Sequence, residues 1–318
     1  MIRLNQHKEG ICLVWTQESQ EERRVKLYGL LGELPPRDRP VTGKRLSEVE
    51  HDTYTLETWV LDLNGIEPVP AYFTRPHKAT RPFPVVLFNH SHGGDWVLGK
   101  DELILGREYL ADPPYCDELA KRGFGALAID AWNFGERRGK KESELFKELL
   151  WQGQVLWGLM VYDSLKAVDY LMGRSDVDSA RLATLGISMG STMAWWVAAL
   201  DPRVKVCIDI CCLTDFHTLI KTRSLDAHGL YYYVPSLLKY FDTASINALI
   251  APRPHLGLAG NHDKLTPSEG LERIDTALRK VYTNMGAEDA WRLLRYNTGH
   301  FETKAMRIEI LRFLEKWL

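Results

Sequence analysis

The chain has 318 residues, of which 45% are hydrophobic and 26% are charged, and its formal net charge is −2 at pH 7. This composition is typical of a soluble globular protein, and the near-zero charge gives no sign of a nucleic-acid or anionic-membrane partner. No apolar run approaches the length of a membrane span, and Met1 leads into no apolar segment of a secretory signal. The five cysteines are an odd set without zinc-ligand spacing, so we expect reduced thiols in a cytoplasmic protein and no bound metal.

The chain alternates strand and helix patterns after a charged, proline-interrupted N-terminal extension over residues 1–50. The remainder contains no linker, and we therefore predict one α/β domain over residues 51–318. Its first elements are the strands Thr53–Leu63 and Glu67–Thr74, which the Asn64-Gly65 turn is predicted to join as a hairpin.

The next strand, Val85–Asn89, ends in a loop with the sequence His92-Gly93-Gly94. Acyl-transfer reactions create an oxyanion, and two aimed backbone N–H groups stabilise it. We predict that the Gly94 N–H is one of these donors and that Gly93 lies beside the substrate. The elements that follow are a helix, a strand and a long helical region, at 115–122, Gly125–Ala131 and Glu142–Gly173.

The most informative segment is Gly186-Ile187-Ser188-Met189-Gly190. It lies between a predicted buried strand, Arg181–Leu185, and a predicted helix, Ser191–Leu200. Strand, G-x-S-x-G and helix together are the context of a nucleophile elbow, whose sharp turn exposes the serine hydroxyl above the edge of the sheet. We therefore predict that Ser188 is a nucleophile and that the N–H of Met189 is the second oxyanion donor.

An unusual stretch, residues 213–250, follows a predicted strand at 204–212. An insertion at this position is expected to form a cap over the active site, with its tyrosines as part of the substrate pocket. Packing of the same rings in the core is an equally weighted alternative. The predicted pocket wall consists of aromatic residues of this insertion and of two neighbouring loops: Tyr231, Tyr232, Tyr233, Trp96 and Trp132.

Two late strands end in loops that carry the remaining catalytic candidates. Pro254–Gly260 leads to Asp263, and Trp291–Tyr296 leads to His300. A serine hydroxyl attacks well only when a base takes its proton. We predict that His300 is this base and that Asp263 fixes its tautomer and stabilises the imidazolium.

Other residues compete for these roles. His262, next to the predicted acid, could be the base, and Asp215, after the earlier strand, could be the acid. Ser91 lies between His90 and His92, but neighbours in an extended segment point to opposite faces, which is poor geometry for proton transfer.

The His-Gly-Gly loop, G-x-S-x-G, Gly-x-x-Asp-x-x-x-Pro and Gly-His-Phe together resemble an α/β-hydrolase. The details, including the loop segment Ala128–Arg137, are most similar to dienelactone-hydrolase-related and prolyl-oligopeptidase-related bacterial esterases. The resemblance covers roughly residues 54–318 and implies a mostly parallel sheet of about eight strands flanked by helices, with a Ser188, Asp263 and His300 triad. Dienelactone hydrolases proper use a cysteine nucleophile, which this chain replaces by serine, and Gly190-Ser191 replaces the Gly-Gly that is frequent among the peptidases.

These features lead us to expect a serine esterase that cleaves a small-molecule carboxylic ester through an acyl-enzyme, without a cofactor. A serine exopeptidase acting on short peptides is the alternative, although no residue can be assigned to a charged peptide terminus. A scaffold without activity is a third reading, because a fold does not fix a function.

Overall fold

The computed structural model describes residues 18–79 and 82–318. Residues 1–17 of the predicted N-terminal extension therefore lie outside the described residues. In the described part of the chain, nine strands form one sheet. The strands are β1 (Thr42–Glu50), β2 (Tyr54–Asp62), β3 (Val69–Pro76), β4 (Phe83–Asn89), β5 (Gly125–Ile129), β6 (Val177–Ile187), β7 (Val206–Ile210), β8 (His255–Gly260) and β9 (Trp291–Tyr296).

The order across the sheet is β1-β2-β3-β5-β4-β6-β7-β8-β9. The strands β1, β2, β3 and β5 pair antiparallel in that order, whereas β5, β4, β6, β7, β8 and β9 pair parallel. The predicted mostly parallel sheet is thus confirmed, and the predicted hairpin is the β2–β3 pair. Because β4 to β9 run in one direction across most of the sheet, the loops after their carboxyl ends meet at one edge.

Helices cover both faces of this sheet. They are α1 (Gln20–Gly29), α2 (Glu102–Leu105), α3 (Tyr115–Lys121), α4 (Glu142–Trp151), α5 (Leu156–Met172), α6 (Met189–Leu200), α7 (Phe216–Thr222), α8 (Thr243–Asn247), α9 (Ser268–Asn284) and α10 (Lys304–Trp317). Successive side chains of a strand point to opposite faces. In β4, Val85 and Leu87 accordingly enter the core under α5 and α6, while Val86 and Phe88 enter the core under α3 and α10. All seven β4 residues are buried, as the apolar run of a central parallel strand requires.

Two elements fall within the predicted extension. The helix α1 begins with a capping box, in which the Ser19 hydroxyl accepts the Glu22 N–H and the Glu22 carboxylate accepts the Ser19 N–H. Its Leu27 is fully buried in the main core. The strand β1 extends the sheet at the edge beside β2, with every residue exposed.

The insertion over residues 213–250 contains α7, α8 and three short 3₁₀ turns, Leu225–Ala227, Leu230–Tyr232 and Leu237–Lys239. It lies between β7 and β8, which are neighbours in the sheet. In the part of the chain that the structure describes, no helix combines the length and the apolar character needed to cross a bilayer.

Candidate active site

Ser188 lies in a tight turn between β6 and α6. Its φ and ψ angles are 58° and −121°, a backbone conformation that residues other than glycine rarely adopt. A Cβ atom on Gly186 would lie 2.3 Å from the Gly190 carbonyl carbon, and one on Gly190 would lie 1.9 Å from the Asn89 oxygen. Both glycines are therefore required by close backbone approach, and the geometry is that of the predicted elbow.

His300 and Asp263 are brought together by the loops after β9 and β8. The His300 Nδ1 and Asp263 Oδ2 atoms are 2.8 Å apart. The other carboxylate oxygen of Asp263 accepts the Leu265 N–H at 2.9 Å, and the Asp263 side chain is 1% exposed. A carboxylate at Nδ1 favours the tautomer with hydrogen on Nδ1, which leaves Nε2 unprotonated and able to accept a proton.

The competing residues have other partners. Asp215 caps α7, with its carboxylate accepting the N–H of Thr218 at 3.0 Å and the hydroxyl of the same residue at 2.6 Å. The His262 Nε2 lies 2.6 Å from the Asn297 side-chain oxygen at the surface. These contacts give both side chains a local structural role.

The Ser91 hydroxyl also has partners other than the flanking histidines. It donates to the buried carboxylate of Glu102 and lies 2.5 Å from the Tyr109 hydroxyl. His90 accepts the Ala131 N–H at Nε2, at 3.1 Å, and burial lowers its pKa to about 4. A dyad of Ser91 and His90 is thus not formed here.

The two predicted oxyanion donors differ in whether their N–H groups already have a hydrogen-bond acceptor. Met189 is the first residue of α6, where a backbone N–H has no acceptor within the helix and the helix dipole favours negative charge. The Gly94 N–H donates to His92 Nδ1 at 3.0 Å, so it could serve an oxyanion only after leaving that nitrogen. The positive φ of Gly93, 54°, favours glycine, and a Cβ there would lie 1.8 Å from Arg107 Nη1, which would have to move.

The insertion contacts the oxyanion loop through His92 and Tyr231. Their rings are stacked at 5.5 Å between centroids, and Trp96 and Phe134 lie on other sides of the imidazole at 4.9 and 5.3 Å. The His92 Nε2 is 3.6 Å from a carboxylate oxygen of Glu142, the first residue of α4. The other oxygen of this carboxylate accepts the N–H of Leu230 in the insertion at 3.3 Å. The histidine and the carboxylate thus join loop, helix and insertion.

The remaining predicted wall residues are mostly buried. Tyr232 is stacked on His228 at 5.1 Å, and the His228 Nε2 lies 3.1 Å from the Leu265 oxygen in the loop of Asp263. Burial raises the pKa values of the Tyr231 and Tyr232 hydroxyls well above the ordinary range. Trp132 is buried below the guanidinium of Arg137, which lies 4.8 Å from its ring.

The insertion also forms an apolar cavity of about 420 Å³, which is partly open to solvent and whose lining residues all belong to the insertion itself. Tyr232 forms part of its wall, and Tyr233 closes another side while its hydroxyl donates to the Leu225 oxygen at 2.7 Å. Other lining residues are Phe216, Val234 and Leu237. Two of the three predicted wall tyrosines therefore face this cavity, while Tyr231 contacts the oxyanion loop.

Cys211 lies beside the acid and the base. Its Sγ, an Asp263 carboxylate oxygen and a His300 ring nitrogen lie within 4.8 Å of one another, a spacing that could suit a metal ion. The thiol is fully buried, and burial raises its pKa, so that it stays protonated. The His300 Nδ1 and Asp263 Oδ2 atoms already contact each other at 2.8 Å, so this arrangement fits a His–Asp pair better than a metal site.

Four residues of the site are not predicted from the sequence: Glu102, Arg107, Tyr109 and Glu142. They lie in no recognisable motif, and charged residues that are isolated in sequence are ordinarily found at the surface. Only their contacts in the folded structure show that they belong to the site.

The chain is similar to a known protein family and to a named relative. The acetyl xylan esterase (AXE1) family pattern matches residues 38–250. A protein of Bacillus subtilis (strain 168) with the name "Putative hydrolase YtaP" is 56% identical over 297 residues, which cover 93% of this chain and 99% of that protein.

Solved structures of two esterases are also similar. The glucuronoyl esterase from Solibacter usitatus has a TM-score of 0.68 at 16% identity, with 92% of this chain and 91% of that chain covered. The acetyl xylan esterase from Paenibacillus sp. R4 has a TM-score of 0.61 at 16% identity, with 93% of each chain covered. Together with the sheet topology, these similarities confirm the α/β-hydrolase fold.

Proposed function

Because this chain belongs to the acetyl xylan esterase (AXE1) family and is a carboxylic ester hydrolase, we propose that Ser188 is its nucleophile and that an acyl-enzyme is formed. The observation that carries the proposal is the 2.8 Å contact between His300 Nδ1 and Asp263 Oδ2. This pair follows the carboxyl ends of β8 and β9, in the same parallel array of strands in which β6 ends at the strained serine. Nucleophile, base and acid are thus all supplied by loops at one edge of the sheet.

The chemistry follows from these positions. His300 takes the Ser188 proton at Nε2 as the hydroxyl attacks the ester carbonyl, and Asp263 stabilises the imidazolium through Nδ1–H. The Met189 N–H, with Gly94 as the second proposed donor, stabilises the oxyanion. His300 then protonates the leaving alcohol, and water that the same histidine activates releases the acid from Ser188.

We propose a short-chain ester of a carbohydrate as the substrate class. Support comes from the family and from the two similar esterases, whose names refer to xylan acetate and to glucuronoyl esters. Trp96, 37% exposed beside His92, is a ring on which a sugar face can pack.

The described cysteines are buried and free of disulfides, which supports a reducing, cytoplasmic location: Cys116, Cys207, Cys211 and Cys212.

A substrate panel tests this function. We expect turnover of p-nitrophenyl acetate and of acetylated xylo-oligosaccharides, and none of an aminoacyl p-nitroanilide. The nitroanilide represents the exopeptidase alternative, which the family match does not support. Hydrolysis of the nitroanilide with no hydrolysis of either ester would reverse the assignment. Turnover of p-nitrophenyl acetate alone would remove the carbohydrate from the proposal and leave the esterase.

The insertion is predicted to control substrate choice more than chemistry. The insertion is proposed to contact the substrate beside the oxyanion loop, where Tyr231 stacks on His92, so replacing Tyr231, Tyr232 and Tyr233 singly by Ala should shift the preferred acyl length. The kcat on an acetate ester should stay within about tenfold, since no charge-stabilising group is lost. Rates on p-nitrophenyl esters from acetate to decanoate measure the shift.

Tyr240→Ala is the matched control for this series. Tyr240 is 52% exposed on the same insertion, and its ring contacts Lys26 rather than the cavity. An unchanged acyl profile in all three tyrosine variants would show that the rings only pack. A loss of kcat on every ester in a folded variant would place one hydroxyl in the chemistry.

A further inference from the structure

A buried polar network lies directly behind the oxyanion loop. Glu102, at the start of α2, is fully buried, and its carboxylate accepts both the N–H and the hydroxyl of Ser91. The Nε atom of Arg107 lies 2.9 Å from the same carboxylate. Burial raises the pKa of Glu102 to about 7, and the guanidinium and the Ser91 groups oppose this rise.

Arg107 connects this network to the loop itself. Its Nη1 donates to the His92 carbonyl oxygen at 3.4 Å and to the Tyr109 hydroxyl at 2.8 Å. The guanidinium also lies where a Gly93 side chain would be, and the Arg107 side chain is only 7% exposed. The oxyanion loop is therefore contacted by this one cation at the His92 carbonyl and beside Gly93.

Tyr109 connects the network to the catalytic base. Its ring packs edge to face against the His300 ring, with centroids 6.3 Å apart. Its carbonyl oxygen accepts the N–H of Glu302, two residues after the histidine, at 2.9 Å. Tyr109 thus contacts Ser91 and Arg107 behind the oxyanion loop through its hydroxyl, and contacts the histidine loop through its ring and its backbone carbonyl.

We propose that Arg107 and Tyr109 are positioning residues that fix the oxyanion loop and the His300 loop relative to each other. The inference rests on the proposed function of those two loops. Arg107 contacts Glu102 through Nε and contacts both Tyr109 and the His92 oxygen through Nη1, so one planar guanidinium spans the three partners. Rigid support of this kind matters because a misplacement of about 1 Å can cost roughly 10²-fold in rate.

Arg107→Met tests the proposal, because methionine keeps length and packing but has no donor. We expect kcat on p-nitrophenyl acetate to fall about 10- to 100-fold while KM stays within about threefold, since the loop acts on the transition state. The inhibition constant of an alkyl boronic acid, which forms a tetrahedral adduct on serine, should rise by the same factor. Tyr109→Phe keeps the ring and should lower kcat about two- to tenfold, the effect of one hydrogen bond.

Arg174→Met is the matched control. Arg174 is also a largely buried arginine, paired with Glu57 and Asp176, but it lies at the opposite end of β6 from Ser188. We expect this variant to unfold at lower temperature with an unchanged kcat per active site, counted by fluorophosphonate titration.

The outcomes are distinct. A lowered melting temperature with unchanged kcat and boronate affinity in Arg107→Met and Tyr109→Phe would overturn the inference. Should Arg107→Met not fold, Tyr109→Phe carries the test alone. A wild-type protein that neither hydrolyses the ester nor reacts with the fluorophosphonate would overturn the proposed function, and the inference with it.

Discussion

Ser188→Ala is expected to abolish ester hydrolysis and leave the fold intact. Loss of the nucleophile of a serine hydrolase costs about 10⁴-fold or more in kcat, because the covalent route is closed. Alanine tolerates the φ of 58° as well as serine does, so the elbow should survive. Steady-state rates on p-nitrophenyl acetate and a thermal unfolding curve measure both parts.

Ser191→Ala is the control, since this serine lies three residues later, is fully buried and belongs to α6, the helix that Ser188 precedes. Its activity should stay near that of the wild type. More than a tenth of wild-type activity in purified, folded Ser188→Ala protein would remove Ser188 from the mechanism.

Asp263→Asn should lower kcat by about 10³- to 10⁴-fold, because an amide favours the wrong tautomer of the histidine. The contact that predicts this is the one between Asp263 Oδ2 and His300 Nδ1. The variant keeps size and shape, so KM and the melting temperature should change little. Kinetics of the folded protein on a small acetate ester give the measurement.

Asp215→Asn is the corresponding control, because Asp215 lies in the loop after β7. Asparagine caps helices about as well as aspartate, so α7 should persist and the rate should remain near normal. The reverse result, with a slow Asp215→Asn enzyme and a nearly normal Asp263→Asn enzyme, would assign the acid to the loop after β7.

The sequence predicts the central part of the fold well. The strands β4, β5, β7 and β8 are short segments buried along their whole length, and parallel strands buried on both faces produce the apolar runs that predict them. Family, fold class and ester hydrolysis are all confirmed. The assignment of Ser188, Asp263 and His300 stays a prediction, now supported by one side-chain contact and one strained turn.

The edge of the sheet is harder to predict. The strand β1 has no buried residue, so it lacks the alternation of apolar and polar side chains that identifies a half-buried strand. The predicted helical region over Glu142–Gly173 is divided into α4 and α5 around Gly153, whose φ is 76°. Gly158 does not interrupt α5. Glycine is required there because a Cβ atom would lie 1.9 Å from the Leu31 carbonyl oxygen.

The sequence also does not predict the loop geometry and the buried charged groups of the candidate site. Nothing in the His-Gly-Gly pattern indicates that the Gly94 N–H turns back onto His92. Glu102 and Arg107 are expected at the surface from the sequence, since charged side chains are rarely buried without a partner. Each is the other's partner, five residues apart in a segment that carries no sequence motif. Such contacts depend on the path of the chain, which local pattern does not encode.

Labelling with a fluorophosphonate, followed by peptide mapping, tests the central claim most directly. The account predicts one adduct per chain on Ser188, within the tryptic peptide of residues 182–203, and loss of ester hydrolysis in proportion to labelling. Ser188→Ala protein should take up no label. Full labelling at another residue, or full ester hydrolysis by protein whose Ser188 is completely modified, would contradict it.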